Sequence, residues 1–347
     1  MQRTFPSKHK IEAGHKEMTD SIQKFNISSI RSLCWSEDTL VDWVGGGRTL
    51  SLDGHIEDSR VRYAFGFDAA VTSPCGHFAV IYQKLGTKGV ILRDGKFLRE
   101  INRSFYHADA YEYPIAIFRT KSERVLIAHC PDEYCQLELE DIETGERLTA
   151  SEDRKPSDFF HSRLRVSPDG KWMLSAGWLW HPWGTLAVFD IEAALLDPKM
   201  LDCSASLPPI EGEVSAAEFL PDSQILLWTS DETLSGDDAD PVAIGKNSIA
   251  IINPLRNSIT SCIQVAEPVG TLMPIDTEFA VGFYEHPKLI SLKSGEVTMR
   301  WTAINSGNQT SSILLGDITV PPIACDSKNK RFAVADGDSV SVVDLRS

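Results

Sequence analysis

Nowhere in these 347 residues does an apolar run approach the ~18 residues of a membrane-spanning helix. The opening residues 1–24, MQRTFPSKHKIEAGHKEMTDSIQK, are polar and lack the apolar segment of a secretory leader. Positive charge is scarce. Against 49 carboxylates stand 34 lysines and arginines, a net charge of −15, which argues against gripping a nucleic-acid backbone through bulk charge. Cysteine is present but unorganised: Cys34, Cys75, Cys130, Cys135, Cys203, Cys262 and Cys325 are odd in number and scattered, unlike a disulfide framework. Cys130 and Cys135 have no second pair at ligand spacing, so zinc is not expected. The absent leader, absent span and dispersed thiols point to a reducing, cytoplasmic setting. Catalytic signatures are missing too. There is no Gly-x-Ser-x-Gly elbow, no His-Glu-x-x-His helix and no Walker loop. Gly45-Gly46-Gly47 runs into Arg48-Thr49-Leu50, a strand pattern, and reads as a hairpin turn rather than a phosphate cradle. No metal and no cofactor is expected.

What is present is a repeat. Hydrophobic content of 42% and charged content of 24% are those of a soluble globular protein with ample material for a core. The stretch Phe159–Asp190 shows the unit most clearly. An alternating run from Ser162 to Val166 enters the turn Ser167-Pro168-Asp169-Gly170 and returns as Trp172-Met173-Leu174-Ser175. An aromatic loop, Trp178 to Gly184, leads to a third strand, Thr185 to Asp190. Period-two apolarity around a Pro-Asp-Gly turn predicts a β-meander. Fainter second strands follow polar turns at Leu40, Phe78, Val125, Ile225, Phe279 and Phe332, making seven units at the period of a propeller blade.

A second column of turns keeps the same phase: Asp53-Gly54, Asp94-Gly95, Thr144-Gly145, Arg256-Asn257 and Ser294-Gly295, each leading to an outer fourth strand. The pattern predicts an all-β fold, a seven-bladed β-propeller of four-stranded antiparallel blades, as one domain over residues 25–347 after a tail or strap at 1–24. The last unit lacks its outermost strand, so a segment within Ile22 to Ile30 is expected to pair there and close the ring. With its Ser-Pro-Asp-Gly-Lys turn, and with Phe189-Asp190 and Val343-Asp344 where Trp-Asp is habitual, the chain resembles WD-repeat and related bacterial β-propellers. No Gly-His pair opens the units, so the His–Asp hydrogen-bond network of that family is not expected. The resemblance implies a fold; function has to be argued from the site.

In such blades one face of the disc is made by the loops leading into first strands and those joining second to third strands. That face collects Tyr106, Tyr111, Tyr113, Phe159, Phe160, Trp178, Trp180, Trp183 and Tyr284, with His107, His161, His181 and His286 among them. It also carries the acidic stretch Asp231–Asp240, including Asp237 and Asp238. Calcium is not expected there, because the carboxylates follow no ordered ligand pattern. Exposed aromatics flanked by polar groups resemble a protein-binding hot spot. The alternative is that the tryptophans fill gaps between wedge-shaped blades or cap the central channel.

The partner-binding residues read from the sequence are Phe159, Phe160, His161, Trp178, Trp180, His181, Trp183, Tyr284, His286, Tyr111, Asp237 and Asp238. The expected function is a monomeric, non-catalytic interaction module binding another protein, cationic given the acidic charge, with an immunity-type toxin inhibitor as one concrete form. Neither nucleic acid nor membrane is expected as a partner. Competing readings are a hydrolase or lyase at the channel mouth, using His161, His181 and His286, and a small-ligand or sugar binder using the tryptophans.

Overall fold

The computed structural model describes residues 20–180, 182–233, 244–316 and 318–346. Their strands form seven antiparallel sheets, each built from consecutive strands except the last. The chain is a seven-bladed β-propeller.

Local chemistry makes each blade. In blade 4, Ser167 opens the first hairpin: its hydroxyl accepts from Trp172 N at 2.9 Å and meets the Asp169 carboxylate at 2.5 Å, while Gly170 takes φ +69°. The Ser73 turn of blade 2 repeats the device, with Phe78 N donating to Ser73 Oγ at 3.0 Å. Asp94-Gly95 turns with φ +48° and +73°, the double positive φ that favours Asp-Gly in tight hairpins.

The second strands read as unbroken apolar runs because both of their faces are buried. In blade 2, Phe78–Tyr82 is buried at every position. Ala79 and Ile81 pack with Val44 of blade 1, whereas Phe78, Val80 and Tyr82 pack with Tyr113, Ile115 and Ile117 of blade 3. Seven apolar clusters of this kind lie between successive blades, including one joining blade 7 to blade 1.

The ring closes through the chain's early residues. Ser21–Asn26 pairs antiparallel with Ser339–Asp344, supplying the fourth strand of the last blade. Arg331 reinforces the seam from within: fully buried, it donates to Asp326 at 2.8 Å and Asp38 at 2.6 Å, and lies over the Trp35 ring.

Two blades depart from four strands. Blade 3 has Ile115–Arg119, Val125–His129 and Glu138–Asp141, with one isolated bridge, Glu140 to Arg147, outside them. Blade 4 has Leu164–Val166, Trp172–Leu179 and Trp183–Asp190. A short helix, Ile191–Leu196, follows its third strand, capped by Asp190 accepting from Ala193 N at 3.0 Å. This cap turns the chain at the position where blades 1, 2, 5 and 6 run on into a fourth strand.

Residues 301–316 and 318–322, between the strands Val297–Arg300 and Ile323–Asp326, form a strap across the disc. Leaving blade 6, the strap reaches blade 3's lead-in loop, where Tyr111 and Ile313 form a bridge. There Glu112 N donates to Ser312 O at 3.0 Å and Leu314 N to Ala110 O at 2.9 Å.

Candidate functional site

The expected aromatic loop of blade 4 is largely strand. Trp172–Leu179 and Trp183–Asp190 pair as far as Leu179 and Trp183, so Trp178, Leu179, Trp183 and Gly184 belong to the ladder. Close backbone packing allows the extension. A Cβ on Gly177 would stand 2.0 Å from Phe160 O, and one on Gly184 would stand 2.5 Å from Val214 O. Phe160 and Trp178 exchange backbone hydrogen bonds at 2.9 and 3.1 Å across the gap that Gly177 keeps open. Glu213 holds the third strand by accepting from Gly184 N at 3.1 Å.

Phe160 is the hub of the face. Its ring stacks on Trp178 at 3.8 Å and Tyr134 at 4.2 Å, meets Tyr111 edge-on at 5.5 Å, and has Tyr106 and Trp180 at 6.0 Å. Trp180 stands 6.2 Å from Trp178 and 5.2 Å from the His107 imidazole. The stack thus has a buried base and an open top. Tyr111, Phe160 and Trp178 are 4% exposed or less, whereas Tyr106 is 42% and Trp180 50% exposed. Beside the top lies an apolar groove of about 310 Å³, lined by His107, Trp178, Trp180, Pro182, Ile313 and Leu315. Its last two walls belong to the strap.

The loop carrying Tyr106, His107 and Tyr111 is held by Arg103. Its guanidinium lies over the Tyr111 and Tyr113 rings at 4.6 and 4.8 Å, and donates to Gly86 O and Ala108 O at 2.7 Å and Tyr111 O at 3.0 Å. Tyr134 is anchored by donating to the Asp158 carboxylate at 2.7 Å.

The structure divides the residues expected to meet a partner. Trp180 reaches the surface, and Tyr111, Phe160 and Trp178 lie beneath it. Phe159 and His161 turn instead into the core between blades 3 and 4, where Phe159 joins the apolar cluster and His161 contacts Ser175 Oγ at 3.2 Å. Burial pushes the His161 imidazole down to about 3, so it is neutral at ordinary pH. Trp183 is half-buried at the start of its strand. Tyr284 and His286 sit half-buried in blade 6; among the described residues no ring contact joins them or Trp183 to the stack. Burial and the cations Lys288 and Arg300 lower the His286 pKa. His181, Asp237 and Asp238 lie outside the described residues, while Asp231 and Glu232 end a second strand, exposed, in blade 5. Among the described residues no group of three or more histidine, cysteine or carboxylate side chains is placed to hold a metal.

Three contributors carry no signal in the sequence pattern. Tyr134 falls between two cysteines that attract attention first, and Ile313 and Leu315 belong to a segment without strand periodicity. A signal for the strap was available in the long Ser/Asn/Gly-containing interval before the last repeat, because connections beyond about 12–15 residues are usually functional or mobile.

No family model matches the chain, and no curated protein matches it in sequence. Among solved structures it is similar to a chain of the "Crystal Structure of Mitotic Checkpoint Complex", with a TM-score of 0.60 and 11% sequence identity. The match covers 98% of this chain and 99% of that one. The fold is WD-repeat-like.

Proposed function

We propose that this propeller is a non-catalytic protein-interaction module, acting in a reducing cytoplasmic setting, and that its partner docks on the Phe160-centred aromatic face. One observation carries the reading: a stack of rings locked at its buried end presents Trp180 and Tyr106 to solvent beside an apolar groove. Rigid aromatics lose little entropy on binding, so their burial converts well into affinity. Leu315, 60% exposed on the groove wall, extends the apolar area beyond single scattered side chains. The net charge of −15 favours a basic partner, whose approach it would accelerate at low salt. That the similar solved chain sits in a protein complex is in keeping with a protein partner.

The test compares capture of a partner from the source cells by the wild-type protein and by a Tyr106→Ala, Trp180→Ala double variant. Both side chains are half-exposed, so the melting temperature of the variant should stay within about 2 °C, as for surface changes. The partner should be lost, and wild-type capture should weaken with added salt. Retention of the partner by the folded double variant would overturn the reading.

A further inference from the structure

The central channel holds a second feature, independent of the aromatic face. Inner residues of all seven blades, with Gln309 and Val320 to Pro322 of the strap, line an open chamber of about 440 Å³. Its charged lining is Arg31, Lys84, Arg163 and Arg165 against Asp68, Glu112 and Glu218, a surplus of one positive charge inside a chain of net charge −15. Most of these charges are accounted for. Arg163 is engaged through all three of its nitrogens, donating to the Glu112 carboxylate and Ser215 O at 2.8 Å and to Ser311 O of the strap at 2.7 Å. Its backbone φ of +44° is unusual for a side chain of this size, and the three contacts hold it there. Glu112 also accepts from Gln309 Nε2. Arg165 is half-satisfied: Nε donates to Glu218 at 2.6 Å and Nη1 to its own Leu164 O at 3.0 Å. Arg31 reaches Phe67 O.

Lys84 differs. Its backbone N donates to Asp68 at 2.7 Å, but its ammonium makes no hydrogen bond or ion pair with any described residue. Burial pushes this ammonium below the ordinary lysine value; Glu112 and Asp68 oppose the shift, and Arg163 adds to it. A partly desolvated cation without a hydrogen-bonded counter-charge is costly, and a small anion entering the chamber would remove that cost.

We propose that the channel chamber binds a small organic oxyanion, a carboxylate or a phosphate ester, with the Lys84 ammonium as its principal contact and Arg165 as the second cation. The volume suits a metabolite-sized molecule and not a polypeptide segment. Selectivity follows from the lining: a neutral molecule brings Lys84 no counter-charge, and a cation meets the surplus positive charge.

Calorimetry and thermal shift on the full chain test this, using succinate and inorganic phosphate as probes at constant ionic strength, with chloride and glycerol as controls. Saturable binding of one probe is expected, and the preferred one separates carboxylate from phosphate chemistry. Lys84→Met should weaken it at least tenfold, Lys84→Arg should retain it, and Trp180→Ala should leave it unchanged. The ligand-free Lys84→Met protein should melt no lower than wild type, because a cation short of partners has been removed. Absence of saturable binding by either probe, equal binding by Lys84→Met, or a marked loss of ligand-free stability in that variant would each overturn the proposal.

Discussion

The imidazole of His161 lies 4.9 Å from the Phe159 ring and 5.7 Å from Phe189, with Ser175 Oγ as its side-chain hydrogen-bond partner. Its folded-state pKa, about 3, lies far below the 6.5 expected in the unfolded chain. Below pH 6.5 the unfolded state therefore binds a proton that the native state refuses, and stability falls as pH drops toward 3. The slope approaches about 1.4 kcal/mol per pH unit from this residue alone. Denaturant titrations from pH 7 to 4.5 should show that extra slope in wild type and lose it in His161→Gln. Parallel slopes would mean that native His161 protonates freely. For the site, histidine identity was legible in the sequence but its role was not, since an unpaired histidine on a loop and one folded into the core look alike until packing is known. The same holds for Phe159 and Phe160, adjacent in sequence, which point into an inter-blade core and into the aromatic stack respectively.

At the scale of elements, blade 4 carries the site because its second strand runs two residues past the point where the repeat suggests a loop. Gly177 makes this possible, and the strand's twofold alternation then buries Trp178. Gly177→Ala should force the strand from Phe160 and cost about 2 kcal/mol or more, as overpacking of a close backbone contact does. Its near-UV circular dichroism should also lose aromatic signal. Gly245→Ala, with nothing within 4 Å of the added methyl group, serves as the control and should be close to neutral. Equal stability of the two variants would remove Gly177 from its role as spacer. The strap is the element the repeat could not announce. Its contacts with Ala110, Tyr111 and Glu112 join residues about two hundred positions apart, and no local pattern encodes such a pairing.

Across the whole molecule, the ring is held at one seam by Ser21–Asn26 and by Arg331. Six residue pairs join Ser21–Asn26 to Ser339–Asp344, and Trp301 Nε1 donates to Asp20 at 2.7 Å just before them. Removing residues 1–26 should expose the edge of the last blade, lower the melting temperature and broaden the transition as cooperativity around the ring is lost. A synthetic peptide covering residues 20–27 should restore part of the loss. A truncated protein with an unchanged, sharp melting curve would show that the ring closes without that strand.

Seven blades and their second strands were decided by the sequence itself, because alternation, polar turns such as Ser-Pro-Asp-Gly and glycine-containing hairpins act over a few residues and repeat in phase; the closing segment followed from the outer strand that the last unit lacks. The surface of the molecule was decided only in three dimensions. Whether an aromatic ring ends as hub, pillar or exposed contact depends on which blade leans against it and on a strap arriving from blade 6. Phe160 and Trp180 carry similar local signals, yet one is 1% and the other 50% exposed. Burial is a property of the neighbours, and here the deciding neighbours lie far away in the chain.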